Sequence, residues 1–254
     1  MHHPIAPPGP LPIVASGDGW VVAAKPHALL THRTPLAPHE RDAALQRLRD
    51  QLGVHVYPIH RLDRAASGCL LFATRRERAA ELQAAMSQPS TQKTYLALVR
   101  GCVVVGKRVT IDRPLSGKDA CTTAEVLGSC HEPRCSLLRC RIFTGRYHQV
   151  RRHLAGISHP ILMDSSHGDT KVNRNWRPRG LTRLALHAWR LRVYISDDEI
   201  IDATCPLPPA LTTVLNDLPF WPDVQETLQH VAPLERIEAQ PATIDYQRST
   251  RSLN

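Results

Sequence analysis

The most informative stretch of this 254-residue chain is residues 58–73, PIHRLDRAASGCLLFA, referred to below as the first block. It places His60, Arg61 and Asp63 directly before a Ser-Gly pair and a short apolar run. A short apolar run bounded by turn-forming residues is typical of a buried strand. The polar residues are therefore predicted to lie in the loop that enters a core strand, where they indicate a functional site rather than packing.

The composition indicates a globular protein with a polyanionic partner. With 42% hydrophobic and 22% charged residues, the chain is typical of packed proteins rather than disordered ones. Lys and Arg outnumber Asp and Glu by 32 to 23, which gives a formal charge of +9. The arginines cluster at 75–78, 146–152 and 174–183, which favours nucleic acid. A basic protein with only a solvated surface is the alternative that charge alone leaves open.

Location and redox state are predicted from what the sequence does not contain. No apolar run is long enough to span a bilayer, and residues 1–4 do not resemble the start of a secretory signal, so a cytoplasmic protein is expected. The seven cysteines are then expected to be reduced. A zinc site is disfavoured because no C-x-x-C pair occurs among its possible ligands, Cys121, Cys130, Cys135 and Cys140.

Hydrophobic periodicity predicts strands interspersed with helices, without regular βαβ alternation. Strands are predicted at 13–16, 20–24, 93–100 and 184–195, with two or three more within 108–142. Helices are predicted at 40–52, 74–88, 147–155 and 207–218. This order favours the α+β class. Residues 1–12 are expected to be a proline-rich, disordered arm, and 222–254 an extension with a weak helix at its start.

Local sequence alone leaves several interpretations of Asp63 open. A salt-bridged structural carboxylate is the commonest role for such a residue. A kinase catalytic loop is excluded, because it needs Asp directly after Arg, with an Asn shortly downstream. A glycosidase would need a second carboxylate. The candidates for that partner stand in no informative relation to Asp63: Asp112, Asp119, Asp164 and Asp169.

A second block, residues 144–164, reads TGRYHQVRRHLAGISHPILMD. Six polar residues fall within eight positions: Arg146, His148, Gln149, Arg151, Arg152 and His153. A solvated helix face would not need the amide or the imidazoles, which add hydrogen-bonding groups without a full charge. One basic residue of this block could pair with Asp63 and leave the others for phosphates.

The two blocks resemble motifs of the RluA-type pseudouridine synthases. HRLDRAASG is similar to H-R-L-D-x-x-T-S-G, and the second block is similar to T-G-R-x-H-Q-I-R-x-H-L-A…H-P-I-x-G-D. AAKPHALLTH, KTYLALVRG and RLALHAWRL resemble three further motifs, so five occur in the family's order. HGDTKVNRNW, residues 167–176, is similar to a segment of the TruC subgroup, which modifies a tRNA uridine.

Three positions depart from the family pattern. Ala66 stands where the family has Thr, His27-Ala28 where x-Gly is usual, and Met163 where Gly precedes Asp164. The first change is expected to remove one hydrogen bond. The second is expected to alter a loop that uses the backbone freedom of glycine.

The resemblance implies a fold and a reaction. The fold is one catalytic domain over residues 13–221, a mixed, mostly antiparallel sheet with flanking helices, without an S4 RNA-binding domain ahead of it. The reaction isomerises uridine to pseudouridine, which needs no metal, redox step or cofactor. Asp63 would attack covalently or take the C2′ proton. Arg151 would pair with Asp63, and Tyr95 would stack on the uracil.

The resemblance also implies how the RNA is held. Arg61 would fill the place of the flipped base, His60 would brace the loop, and Leu186 would form an apolar wall of the pocket. Phosphate contacts are expected from Lys25, Arg64, Arg75, Arg76, Arg146, Arg152, Arg174 and Arg177, with His148 and Gln149 as further RNA-binding residues.

These observations predict a cytoplasmic, monomeric RNA pseudouridine synthase that acts on a tRNA stem. Ribosomal RNA is the alternative substrate. Two alternatives come from other classes: a basic RNA-binding protein without catalytic activity, and a metal-dependent nucleic-acid hydrolase, which would require clustered carboxylates.

Overall fold

The computed structural model describes residues 6–33 and 42–230. The chain forms two compact units that are interleaved in sequence. The first unit holds the chain up to Tyr95 together with Leu186–Pro209, and the second holds Leu96–Ala185 and the chain from Ala210 on. Among the described residues, no helix has the length and apolar character needed to cross a membrane.

The first unit is built on a mixed sheet. Its strands are β1 (Ile13–Gly17), β2 (Trp20–Lys25), β3 (Tyr57–Pro58), β4 (Ser67–Ala73), β9 (Leu186–Tyr194) and β10 (Ile200–Thr204). Its helices are α1 (Ala44–Leu52) and α2 (Arg76–Met86), and the first residues of β5 (Gln92–Arg100) belong to it. β4 pairs antiparallel with β2 and β3 but parallel with β9, and β9 pairs antiparallel with β10.

Strand β4 is the central strand of this unit. All seven of its residues are buried, as expected for a continuous apolar run covered on both faces. Gly68 in β4 has φ 122°, and a Cβ built there would lie 2.1 Å from the carbonyl oxygen of Ala188. Only glycine fits this approach to β9, so the Ser-Gly pair after the first block's loop is a packing requirement.

The second unit contains an antiparallel meander with helices packed on it. Its strands are β6 (Arg108–Ile111), β7 (Thr122–Cys130) and β8 (Cys135–Ile142). Its helices are α3 (Gln149–Gly156), α4 (Thr170–Trp176) and α6 (Trp221–Gln229); α5 (Pro209–Asn216) begins at the division between the units. Residues of β7 alternate between buried and half-buried, the period-two pattern of a strand with one covered face.

The α+β class predicted from the order of elements is confirmed. Every strand and helix predicted from periodicity is present, with bounds that differ by four residues or fewer. Three described elements were not predicted: β3, β10 and α4. β3 and β10 are short, and α4 is a seven-residue, mostly polar helix whose N-terminus is capped by Asp169, so none has a clear apolar period.

The structure describes parts of the two predicted terminal segments, residues 6–12 and 222–230. Leu11 is 1% exposed, and its backbone N–H and C=O both bond to the side-chain amide of Gln51 (2.8 and 3.0 Å). The predicted disorder is therefore wrong for residues 6–12, while 1–5 lie outside the described residues. Helix α6 buries Trp221 and Val224, and residues 231–254 of the predicted extension lie outside the described part.

Candidate active site

Asp63 lies in the turn that leads from β3 into β4. Its backbone carbonyl accepts the N–H of Ala66 (3.1 Å), which closes the turn, and the residue is half-buried. Tyr95 of β5 is close to this carboxylate: burial first, and then the negative charge of Asp63, raise the pKa of Tyr95 well above its ordinary value. The phenol is thus neutral near pH 7, and its ring packs against the apolar cluster that includes Leu62 and Ala188.

His60 holds the loop of the first block against β4. The N–H of Ile59 donates to the carbonyl of Leu71 (3.0 Å), and the N–H of Leu71 donates to Nε2 of His60 (3.1 Å). The imidazole therefore takes the place of a strand partner. Burial first, and then the charge of Lys93, lower the pKa of His60 to about 4, so the ring is neutral and its Nε2 is an acceptor near pH 7.

Lys25 is a buried brace, so the prediction that it contacts a phosphate is wrong. Its side chain is 1% exposed, and Nζ donates to the carbonyls of Pro26, Leu29 and Arg64 at 2.8, 2.8 and 3.3 Å. Three carbonyl acceptors offset the cost of burying the ammonium. The lysine joins the loop after β2 to the backbone next to Asp63, and Nε of Arg64 returns a bond to the carbonyl of Ala28 (3.0 Å).

Two further contacts of the first block were not predicted. Oγ1 of Thr31 bonds to both the N–H and the C=O of Leu62 (3.2 Å each), which fixes the residue before Asp63. Oγ of Ser67 lies 2.8 Å from Nδ1 of buried His187, whose Nε2 lies 3.1 Å from the carbonyl of Cys205. Sequence inspection missed these residues because Ser and Thr at such positions look like ordinary strand residues.

The remaining predicted residues of this unit differ in exposure. Arg61 is exposed, and no ion pair within residues 6–33 and 42–230 engages its guanidinium. Leu186 is buried and begins β9 beside His187. Arg75 and Arg76 are exposed, and Arg75 pairs with Asp18 (2.6 Å).

In the second unit, Arg151 is buried in an ion pair with Asp164. Nε and Nη2 of Arg151 donate to the two carboxylate oxygens at 2.7 and 2.8 Å. Oδ1 of Asp164 also accepts the N–H groups of Ser166 (2.9 Å) and His167 (3.0 Å). Burial alone would raise the pKa of Asp164, but the Arg151 bonds and these N–H groups lower it below its ordinary value. The pairing of Arg151 with Asp63, a residue of the other unit, stays a prediction.

Gln149 builds the turn before α3, so the prediction that it binds RNA is wrong. It is buried, and Oε1 accepts the hydroxyl of Thr144 (2.7 Å) and the N–H of Arg146 (3.0 Å). Its Nε2 donates to the carbonyl of Cys121 (2.8 Å) and to Oγ1 of Thr122 (3.0 Å). All four positions of the amide are used within the unit, which leaves none for RNA.

The other polar residues of the second block lie nearer the surface, except His153. Arg146 and Arg152 are half-exposed, and their guanidinium groups bond to the carbonyl of Asp119 (2.8 Å) and Oγ of Ser116 (3.2 Å). Half-buried His148 places Nδ1 3.0 Å from Nε2 of His167. His153 is fully buried between Thr122 and the carbonyl of Arg113.

Residues of the H-G-D-x-x-x-N segment, 167–173, contact the backbone at Asp164 and the residue before it. Asp169 caps α4 by accepting two N–H groups and pairs with Arg100 (3.0 Å). The Asn173 amide bonds to the N–H of Met163 (2.7 Å) and the C=O of Asp164 (3.1 Å). A Cβ at Gly168 would lie 2.3 Å from the same carbonyl oxygen, so glycine is required there. Arg174 and Arg177, on and after this helix, are exposed.

Two of the family departures occupy glycine-like backbone conformations. Ala28 has φ 65° and Met163 has φ 61°, both in the left-handed region. The loop after β2 therefore keeps the backbone that glycine would adopt, although a Cβ is present.

The cysteines are free thiols. Sγ atoms of Cys130 and Cys135, which face each other across β7 and β8, lie 3.6 Å apart. Within the described ranges, no group of three or more His, Cys, Asp or Glu is arranged to hold a metal ion.

Comparison with known proteins gives one consistent family. The family model described as RNA pseudouridylate synthase matches residues 19–156. The chain is 36% identical over 209 residues to tRNA pseudouridine synthase C of Vibrio parahaemolyticus, covering 73% of this chain and 85% of the relative. It is 41% identical over 201 residues to tRNA pseudouridine synthase C of Pasteurella multocida, covering 68% and 82%. The solved structure of human RNA Pseudouridylate Synthase Domain Containing 1 matches with a TM-score of 0.65 and 27% identity, covering 82% of this chain and 90% of the other.

Proposed function

The chain belongs to the RNA pseudouridylate synthase family, and we propose that it isomerises a uridine in a tRNA stem, with Asp63 as the catalytic carboxylate. The observation that supports this role is the position of Asp63 on a firmly braced turn, beside the neutral ring of Tyr95. Lys25, Thr31 and His60 hold the backbone around it. The bracing fixes the carboxylate before the substrate arrives, which lowers the entropic cost of reaction.

The reaction breaks the N1–C1′ bond, turns the base, and joins C5 to C1′. Asp63 either attacks the nucleoside covalently or removes the C2′ proton, and both routes need an ionised carboxylate. The hydrogen on C5 leaves as a proton once the new bond has formed. The ring of Tyr95 lies against the uracil, where stacking contributes about 1–3 kcal/mol.

A uridine in a stem must leave its base stack before Asp63 can reach it. Unstacking costs a few kcal/mol. Arg61 is exposed in the same loop as Asp63, and we assign it to fill the vacated place in the duplex. The exposed and half-exposed arginines, including Arg152 and Arg174, contribute to holding the phosphates.

A tRNA substrate is favoured by the relatives, whose names assign them to tRNA. The resemblance of residues 167–176 to the TruC subgroup supports the same choice, with ribosomal RNA as the alternative. The proposed setting is the cytoplasm, with one chain acting on one RNA.

Tritium release from C5-labelled uridine tests the proposal directly. Wild type, Asp63→Asn and Asp112→Asn are incubated with labelled tRNA and with labelled ribosomal RNA. Asp112 is an exposed carboxylate of the second unit and serves as the matched control. We expect release from tRNA by wild type and Asp112→Asn, and a rate at least ~10³-fold lower for Asp63→Asn.

Each of the other possible outcomes would overturn a different part of the proposed function. Release from ribosomal RNA alone would change the substrate, while equal release by Asp63→Asn would overturn the catalytic role. No release from either RNA with intact RNA binding would favour a protein that only binds RNA. Strand cleavage that is abolished by a chelator would favour the metal-dependent hydrolase.

A further inference from the structure

Tyr147 is unusual because it leaves an aromatic ring in solvent. It is 68% exposed, whereas every other Phe, Tyr and Trp within residues 6–33 and 42–230 is buried or half-buried. An exposed aromatic ring contributes little to folding, since its apolar area stays in water. The family motif leaves this position variable, so the resemblance does not account for the tyrosine.

The ring of Tyr147 is held by two histidines. It stacks on the ring of His148 with centroids 3.8 Å apart and an interplanar angle of 19°. His148 is fixed in turn by His167, whose ring meets it edge-on at 5.3 Å with the 3.0 Å contact between Nδ1 and Nε2. One face of the tyrosine is therefore supported, and its high exposure places the opposite face in solvent.

The backbone beneath Tyr147 is rigid. His148 adopts φ 53° and ψ 33°, a left-handed conformation that costs a non-glycine residue free energy. Two hydrogen bonds of Gln149 tie the turn residues 144 and 146 to the start of α3, and its other two anchor it to Cys121 and Thr122. The ring is thus presented in one orientation before any ligand binds, which reduces the entropy lost on binding.

Cationic residues lie near Tyr147 in the sequence and on the helix that follows His167. Arg146 precedes it, Arg152 follows on α3, and Lys171 and Arg174 lie on α4, which follows His167. All four are exposed or half-exposed. A flat, supported aromatic face in a basic, partly exposed segment fits a nucleobase attached to a phosphate backbone better than it fits an apolar protein surface.

We propose that Tyr147 is a stacking platform for an RNA base that is not stacked in a duplex. The platform consists of Tyr147 with His148 and His167 behind it. This inference rests on the proposed function, because it takes RNA as the ligand, and it adds a residue that determines which RNA binds well. An unpaired base of the RNA stacks on the open face, and the arginines hold its phosphates.

Kinetics on tRNA labelled at C5 provide the first test. Tyr147→Ala is expected to raise KM about 5-fold to 100-fold and leave kcat within about 2-fold, because stacking contributes to binding and not to bond cleavage. Tyr147→Phe keeps the ring and is expected to stay within about 2-fold of wild type. Val104→Ala removes another exposed apolar side chain of the same unit and is expected to change neither constant.

The salt dependence of tRNA binding separates stacking from charge. The slope of log Kd against log salt concentration is expected to be the same for Tyr147→Ala and wild type, since no ionic contact is lost. Arg152→Ala is expected to reduce that slope by about 1. The melting temperatures of the variants are measured in parallel, and Tyr147→Ala is expected to match wild type because its ring is mostly exposed.

Three results would overturn the platform. They are an unchanged KM and Kd for Tyr147→Ala, an equal loss for Tyr147→Phe, or a lost affinity that follows a lower melting temperature. Binding constants are measured with catalytically silent Asp63→Asn as well as with wild type. If the wild type releases no tritium, the proposed function is refuted. If Tyr147→Ala nevertheless lowers the RNA affinity, the platform is still supported.

Discussion

The first block and the second block have similar polar sequences but different environments. In the first, Asp63 is half-buried and Arg61 is exposed, while buried groups from elsewhere hold their backbone. In the second, Gln149 and Arg151 are buried and bonded inside the unit. The difference shows that a dense polar motif can either leave some of its charged groups partly exposed or bury them within the scaffold.

The physical basis of this difference is desolvation. A buried charge or amide must have its hydrogen bonds satisfied within the protein, and a group with all its bonds used cannot bind a ligand. Asp164 accepts four hydrogen bonds and is 2% exposed, so its carboxylate is structural. Asp63 is half-buried beside an aromatic ring, so its carboxylate is less desolvated than that of Asp164.

Replacing one aspartate in each block by asparagine should give the largest difference between the blocks in stability and activity. Asp164→Asn removes the carboxylate that accepts two hydrogen bonds from the buried Arg151 and is expected to lower the free energy of unfolding by about 3–5 kcal/mol. Asp63→Asn is expected to lower that free energy by less than Asp164→Asn does, because Asp63 is half-buried, while abolishing tritium release. Urea unfolding of both variants, with release assays, checks the pair. Similar losses of stability in both variants would contradict the conclusion that the two carboxylates lie in different environments.

Replacing Lys25 should give the next largest loss of stability. Lys25→Met leaves the carbonyls of Pro26, Leu29 and Arg64 without the ammonium donor and is expected to cost about 2–4 kcal/mol of stability. The salt slope of RNA binding should stay the same, because the ammonium is not on the surface. Lys171→Met is the matched control: it should cost less than about 0.5 kcal/mol and reduce the slope by about 1. Urea unfolding and binding at several salt concentrations would distinguish the two lysines.

The pH dependence of stability should reveal the half-buried imidazole of His60 in the first block. His60 has a native pKa of about 4 against an ordinary value of 6.5, so between these values the unfolded chain binds a proton that the native protein does not. Stability therefore falls as the pH is lowered from about 6.5 to about 4, by about 1–3 kcal/mol for this half-buried group.

His60→Gln should remove this part of the acid sensitivity. Urea unfolding at pH 7 and pH 4.5 measures it as a smaller stability difference in the variant than in wild type. In the second block, burial lowers the pKa of His153 in the same direction, so His153→Gln should also flatten the profile. An unchanged profile in His60→Gln would contradict the role of the neutral ring as a brace for β4.

Glycine at the two left-handed positions should give the smallest effect. Ala28→Gly and Met163→Gly relieve backbone strain of about 1–2 kcal/mol, but glycine adds about 0.4–1 kcal/mol of unfolded-state entropy. We expect net stabilisation of about 0.5 kcal/mol for Ala28→Gly and less for Met163→Gly, which also loses a half-buried side chain. Thermal unfolding measures both. Ala80→Gly, at an exposed position of α2, is the control and should destabilise by about 1 kcal/mol.

The sequence predicted the elements well where burial follows a local period. The continuous apolar run of β4 and the alternation along β9 are visible without any partner strand. Helix α4 was not predicted, because its stability depends on the Asp169 cap and on contacts of Asn173 with a distant turn. Gly68 was visible as part of a motif, but its reason is the carbonyl of Ala188, more than a hundred residues away.

The sequence by itself determined the family and the α+β class, because motifs and periodicity are local properties, and the same motifs led to the proposal of Asp63. Only the tertiary structure decided which polar residues remain available to a ligand. Lys25 and Gln149 are indistinguishable from RNA-binding residues in the sequence, yet both are buried and bonded within their own units. Desolvation depends on neighbours that are distant in the chain, so the availability of a side chain is fixed only when the chain has folded.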